Sequence, residues 1–421
     1  GAGSLRAWAE GERSGGHRAG TDYRVSQFRV AADHPARGGR GGRVAMEAGV
    51  ALRDFGAAQF YAPAPSYERT RTAQGALRWE SATGSAWTGS AVASLRRHTD
   101  DFILRRAEPA YYRNRHENWQ STLEGTLRRR LRGDAALALG GELFDAQLAS
   151  ARLGDRREQR AALFTEGSWG SRDGASLSAG ARADWTSTFG AFLSPQLGAA
   201  FALGDRHWLR ASMARGYRAP SWTDRYYTDP ANTGNPALGA ERFWAGELGL
   251  RALPRWGSID VAAFARQADD LIDWTRPAGA GATQPWRAAN VGSGRYLGVE
   301  GSATLPRILG TEVGVHASAL RFRSDGAAGL EGKYALRPLT RVVGGTLTRG
   351  FGQALTATVD VREARRARER GWTMANARLA WRLRRGAVTL DVTNMGNTTY
   401  LDASGMPVAA RAAYVGVRWG R

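Results

Sequence analysis

Apolar and polar positions alternate with a period of two along most of this chain. Trp119, Leu123, Leu127 and Leu131 fall on one parity; Gln120, Thr122, Glu124, Thr126, Arg128 and Arg130 fall on the other. Leu137, Leu139 and Leu143 resume the pattern after Gly133-Asp134. Near the end, Val388, Leu390 and Val392 alternate with Thr389, Asp391 and Thr393, and Val415, Val417 and Trp419 with Tyr414, Gly416 and Arg418. Period two is the signature of a strand, whose successive side chains point to opposite faces. It predicts about twenty strands between residues 3 and 419. Those around the centre are 158–169, 174–187, 196–204, 206–216 and 242–253.

Two kinds of connection alternate. Gly133-Asp134, Gly204-Asp205, Pro254 and Arg384 mark short ones, while 54–69, 99–117, 217–241, 269–293, 324–338 and 394–410 are long. This asymmetry predicts an all-β, antiparallel transmembrane β-barrel with tight turns at one end and large loops at the other. A β-sandwich does not sort its loops that way.

Composition changes the picture little. No run of eighteen apolar residues exists, so no membrane-spanning helix is expected. A negative mean hydropathy suits a barrel, whose strands are apolar on one face only. There is no cysteine, which excludes disulfides and thiolate metal sites. The formal charge is +20, and Lys333 is the only lysine. Ala36–Arg43 (ARGGRGGR) and Arg128–Arg132 (RRRLR) mimic nucleic-acid-binding segments. The first reads better as a Gly-rich turn and the second as a strand end, so no nucleic acid is expected. The six histidines are scattered, and no HExxH, GxSxG or P-loop occurs. Neither an enzyme, a metal nor a cofactor is implied.

Ordered motifs add a resemblance. YRAPSWTDRYY, GNPAL, Glu241 and GELGL (217–250) resemble the mid-barrel signature of TonB-dependent outer-membrane receptors. FGAAQFYAPAPSYERTRT (55–72) and RRHTDDFILRRAEPAYYRNRHEN (96–118) resemble loops of the vitamin B12 receptor-like members. Gly180–Ala200 resembles a G-x-R-x-D strand followed by a Pro-containing turn. DDLIDW, AANVG and GVEGSA (269–303) and DVTNMGNTTYLDASGMPVAAR (391–411) resemble the late and terminal segments.

The resemblance implies a 22-stranded barrel with an N-terminal plug, importing a scarce bulky nutrient with energy from TonB. About 20 of the 22 strands are expected in a single domain, 1–421, with the plug domain absent. TonB would then act through a missing N-terminal segment. The substrate is expected to be cobalamin-type or a ferric siderophore; the environment is outer-membrane lipid and lipopolysaccharide. A passive pore and a soluble all-β binding protein are the alternatives.

Ligand contacts are expected from loop aromatics and polar groups. The candidates are Tyr61, Tyr67, Tyr111, Tyr112, Trp222, Arg225, Tyr226, Tyr227, Asp229, Asn232, Trp274 and Trp286. Tyr and Trp near strand ends also serve as interface anchors. Most strand arginines are expected to face the lumen, because an arginine at mid-bilayer costs about 2–4 kcal/mol. Glu124, Glu142, Asp184, Glu247, Glu300 and Asp391 share that parity and are too few to neutralise them. The balance is expected from a plug, from lipopolysaccharide or from an anionic ligand.

Overall fold

The computed structural model describes residues 3–36, 41–60, 64–82, 84–170, 174–281, 284–402 and 406–419. Among them, 20 strands form one antiparallel ladder, and short strands decorate the loops. The chain resolves into two compact units. The first comprises Gly1–Arg172, Leu177–Leu197 and Ala219–Gly239; the second comprises Asp173–Ser176, Gly198–Arg218 and Ala240–Arg421.

Within the first unit, each strand pairs with the next in sequence from Ser4–Ser14 to Arg156–Gly170. The second unit pairs His207–Arg218 with Glu241–Ala252 and continues in the same up-and-down order to Ala412–Trp419.

Solvent exposure is inverted relative to a soluble protein. On Arg113–Arg130 the leucine parity is exposed and the polar parity half-buried. Leu123 is 53 % exposed and Leu143 58 %, whereas Asp184 is 3 % exposed. Large exposed apolar areas on a monomer need a non-aqueous partner. The exposed leucines therefore require hydrocarbon, and the soluble alternative fails on this point.

The polar face has its own packing rule. Gly140 stands opposite Phe164, Gly216 opposite Phe243, and Gly298 opposite Phe264. A Cβ at any of these glycines would collide with the facing ring. The missing side chain lets each ring lie across its neighbour, as in aromatic rescue of strand glycines. Arginines then stack on two of these rings. Arg182 lies 5.8 Å from the Phe164 centroid, and Arg266 lies 4.3 Å from that of Phe243.

Several expectations need correction. The proposed strand 174–187 and Pro-containing turn become Ala175–Thr186, a three-residue connection, and Gly190–Ala202, with Pro195 inside the strand. Loop lengths do not alternate strictly, since 151–155 and 187–189 are short. Long loops are also trimmed, because strands run past the apolar band. Trp87–Ile103 pairs with Arg113–Arg130 through Thr99–Glu117 and Asp101–Arg115. Both faces are polar there, so periodicity vanishes while backbone pairing continues. Strand arginines on the apolar parity include Arg71, Arg97 and Arg157, opposite Leu52, Trp119 and Gln147. Arg129 stacks on Trp87 at 5.1 Å beside a turn. Part of the Gly-rich turn, 37–40, lies outside the described residues.

In lipid vesicles, Leu143→Arg is expected to destabilise the protein by about 2–4 kcal/mol and Leu131→Arg, beside a tight turn, by about 0–1 kcal/mol. Urea midpoints of the two variants check this; equal losses would contradict the depth assignment.

Candidate functional site

The loop 219–240 is built rather than loose. Pro220 precedes Ser221, whose hydroxyl accepts from the Asp224 amide at 3.1 Å, while the Asp224 carboxylate accepts from the Ser221 amide at 3.0 Å. This reciprocal cap starts a short helix, Trp222–Tyr226. The Ser-x-x-Asp spacing is legible in the sequence and was the missed signal for this helix. Thr228–Asp229 then pairs with Asn232–Thr233. Asp229 accepts from the Ala231 amide at 2.8 Å, from the Asn232 side chain at 3.0 Å and from the Tyr227 hydroxyl at 2.9 Å. Asp229 and Asn232 are thus loop formers. Gly234 passes so close that a Cβ would meet the Tyr226 nitrogen and Tyr227 oxygen, both at 2.9 Å.

The first unit holds most of the expected tyrosines, and Tyr112 meets this loop through Tyr227. Arg156 lies 3.9 Å from the Tyr226 ring, and Arg225 lies 4.7 Å from the same ring and 5.1 Å from Phe189. Tyr227 also bonds to Tyr112, which Arg152 covers at 4.4 Å. Tyr111 is 58 % exposed beneath Arg105 at 3.6 Å. Tyr67 meets Arg106 at 4.2 Å, and Arg106 reaches Asp22 at 2.6 Å. That bond holds the Asp22 carboxyl below the ordinary carboxylate range. Trp222 is half-buried in the helix. Tyr61 lies outside the described residues.

Burial, then Asp229, then Tyr112 push the Tyr227 phenol above the ordinary tyrosine range. The raised value favours the protonated form, so its stabilising effect is full below pH ~10 and is lost only as pH rises through the higher folded value. In an absorbance titration, Tyr227→Phe should remove only the latest tyrosine step. A loss at the ordinary tyrosine pH would refute the buried pairing.

Trp274 and Trp286 belong to the second unit. Trp274 is 6 % exposed, so it is a packing residue of its loop. Trp286 is half-buried under Arg276, at 4.2 Å. Sequence reasoning missed Asp273, the residue before Trp274. Its buried carboxylate accepts from the backbone amides of Trp274 at 2.8 Å, Tyr334 at 3.0 Å and Leu336 at 3.0 Å, which ties two loops together. Burial raises its pKa against the opposing pull of those amides. An unsatisfied buried amide costs about 1–3 kcal/mol. Asp273→Ala should therefore speed amide exchange at Trp274, Tyr334 and Leu336, with unchanged rates sinking the assignment.

Several of the polar-face carboxylates are paired, whereas Glu124 stands opposite Glu142 in the ladder. Glu142 and Asp184 hold Arg160 and Arg182, with Arg160–Glu142 at 2.8 Å and Arg182–Asp184 at 3.0 Å. Arg210 bridges Glu247 at 3.1 Å and Asp260 at 2.8 Å. Asp391 meets Arg378 at 3.5 Å. Asp260 had escaped notice, and Glu241, read from the sequence only as part of a motif, is buried and takes Arg218 and Arg266. Glu300 is exposed beside Glu247, Arg266 and Tyr296 in a shallow cleft.

Residues 7–395 match the family described as TonB dependent receptor-like, beta-barrel. The chain belongs to this family. It is a bacterial outer-membrane β-barrel, and its family is one of receptors rather than enzymes. The vitamin B12 transporter BtuB of Vibrio vulnificus (strain YJ016) is 32 % identical over 119 residues, covering 28 % of this chain and 18 % of that protein. The matched stretch is thus under a fifth of that relative's length. The siderophore receptor PirA of Pseudomonas aeruginosa superposes with a TM-score of 0.79 at 18 % identity, over 99 % of this chain and 74 % of that one. The FrpB iron transporter of Neisseria meningitidis (F3-3 variant) gives 0.74 at 14 % identity, over 94 % and 72 %. At these identities the structural likenesses speak for the fold alone.

Proposed function

We propose that this TonB-dependent receptor barrel imports a scarce, bulky nutrient, cobalamin-type or a ferric siderophore, with energy delivered through TonB. The observation that carries the reading is the tyrosine–arginine layer of the first unit. Tyr111, Tyr112 and Tyr226 offer flat rings, and Arg105, Arg152 and Arg225 offer fixed cations from separate connections. Rigid aromatics beside arginines dominate binding energetics because they desolvate large areas at little entropic cost. Such a layer suits a large ligand with planar and anionic parts.

The partial identity to a vitamin B12 transporter supports a cobalamin-type ligand. The surplus of arginine supports the second reading, an anionic ferric siderophore. Both keep Trp222, Asp229 and Asn232 as shapers of the loop.

Tryptophan quenching of the protein in detergent, with cyanocobalamin and with a ferric siderophore, separates the two. Replacing Arg225 and Tyr226 together by alanine should weaken the true ligand at least tenfold, or about 1.4 kcal/mol. An unchanged Kd for both ligands would refute the loop assignment. Uptake that persists without TonB would favour the passive pore.

A further inference from the structure

The apolar face of the first unit changes character towards its loops. One cross-strand row reads Leu5, Ala32, Met46, Leu77, Ala93, Leu123 and Leu143. Eight residues nearer the loops, on the same parity, the row reads Arg13, Arg24, Asp54, Arg69, Asp101 and Arg115. That step is roughly 26 Å of strand at ~3.3 Å per residue, or about 20 Å along the membrane normal for a strand tilted by about 40°, against the half-thickness of about 12 Å of an apolar band ~25 Å tall. The charged row thus lies beyond the hydrocarbon, at the level of polar headgroups.

Its charges are not balanced from within. Arg13 and Arg24 stand directly opposite each other, an arrangement that weakens a sheet unless an anion intervenes. Asp54 is taken by Arg71 at 2.7 Å, and Asp101 by Arg113 at 2.6 Å. Two rows lower on the same face, Arg97 pairs with Glu117 at 2.8 Å and stacks on Trp119 at 5.5 Å. Among the described residues Arg13 and Arg24 have no ion pair, and Arg69, which stacks on Tyr67 at 5.5 Å, acts on Asp101 only from beyond ion-pair distance. Immediately beneath lies a shallow apolar groove lined by Phe28, Val30, Val50, Leu95, Arg97 and Trp119.

We propose that this outward patch docks the phosphates of lipopolysaccharide while the groove beneath seats its acyl chains. The patch and groove together match an amphiphile with an anionic head. Guanidinium groups bind phosphate oxygens in pairs, which lysine does not do. The groove is continuous with the face that hydrocarbon already covers. The assignment rests on outer-membrane placement and is independent of the imported nutrient.

The test is native mass spectrometry of the full chain in detergent with three probes: phosphorylated lipid A, lipid A stripped of phosphate, and inorganic phosphate. The parent should prefer phosphorylated over stripped lipid A at least tenfold. Arg13→Gln, Arg24→Gln and Arg69→Gln combined should abolish that preference, while Arg128→Gln with Arg130→Gln, on the other face, should keep it. A parent without the preference, or a triple variant that retains it, overturns the proposal. So does inorganic phosphate binding as tightly as the lipid. If the triple variant fails to assemble, the parent decides: its preference should fade as salt screens the charges, and a salt-insensitive preference overturns the proposal.

Discussion

Everything in this molecule follows from asking one face of an antiparallel sheet to meet hydrocarbon. The strand period of two then segregates side chains absolutely: a residue and its neighbour cannot share a solvent. Leu123 and Leu143 go one way, Glu124 and Glu142 the other. An arginine-rich chain under that rule must either concentrate its cations on the polar face or lift them beyond the apolar band. This chain does both.

On the polar face, the cations are held by a repeated local device. A glycine leaves room for a ring, the ring carries an arginine, and the arginine reaches a carboxylate. Gly140, Phe164, Arg182 and Asp184 show it in the first unit. Gly216, Phe243, Arg266 and Glu241 repeat it in the second. The abundant glycine therefore serves ring packing as well as turns. At the loops, the same partners, ring and guanidinium, are left closer to solvent, and there they form the surface proposed to hold the ligand. The chemistry changes from structural to recognitional chiefly because exposure changes.

The loops themselves owe their shape to buried or shared carboxylates. Asp229 organises the helix-bearing loop from within, and Asp273 binds one loop to another through backbone amides. These residues fix the rings in place, so loss of one would disturb recognition without removing a ligand contact.

The sequence by itself determined the strands, their faces and their up-and-down order, because alternation and turn residues are local properties of the chain. The family was legible for the same reason: motifs such as YRAPSWTDRYY keep their order along the chain. The short helix at Trp222–Tyr226 was also written there, in Ser221 and Asp224. Only the tertiary structure decided which carboxylate meets which arginine. Arg210 finds Asp260 fifty residues away, and Asp273 finds Leu336 sixty-three away. Only the structure revealed that Asp101 and Arg115 are paired strand residues rather than loop. Backbone pairing needs no apolar stripe, so where both faces turn polar the periodic signal ends before the strand does.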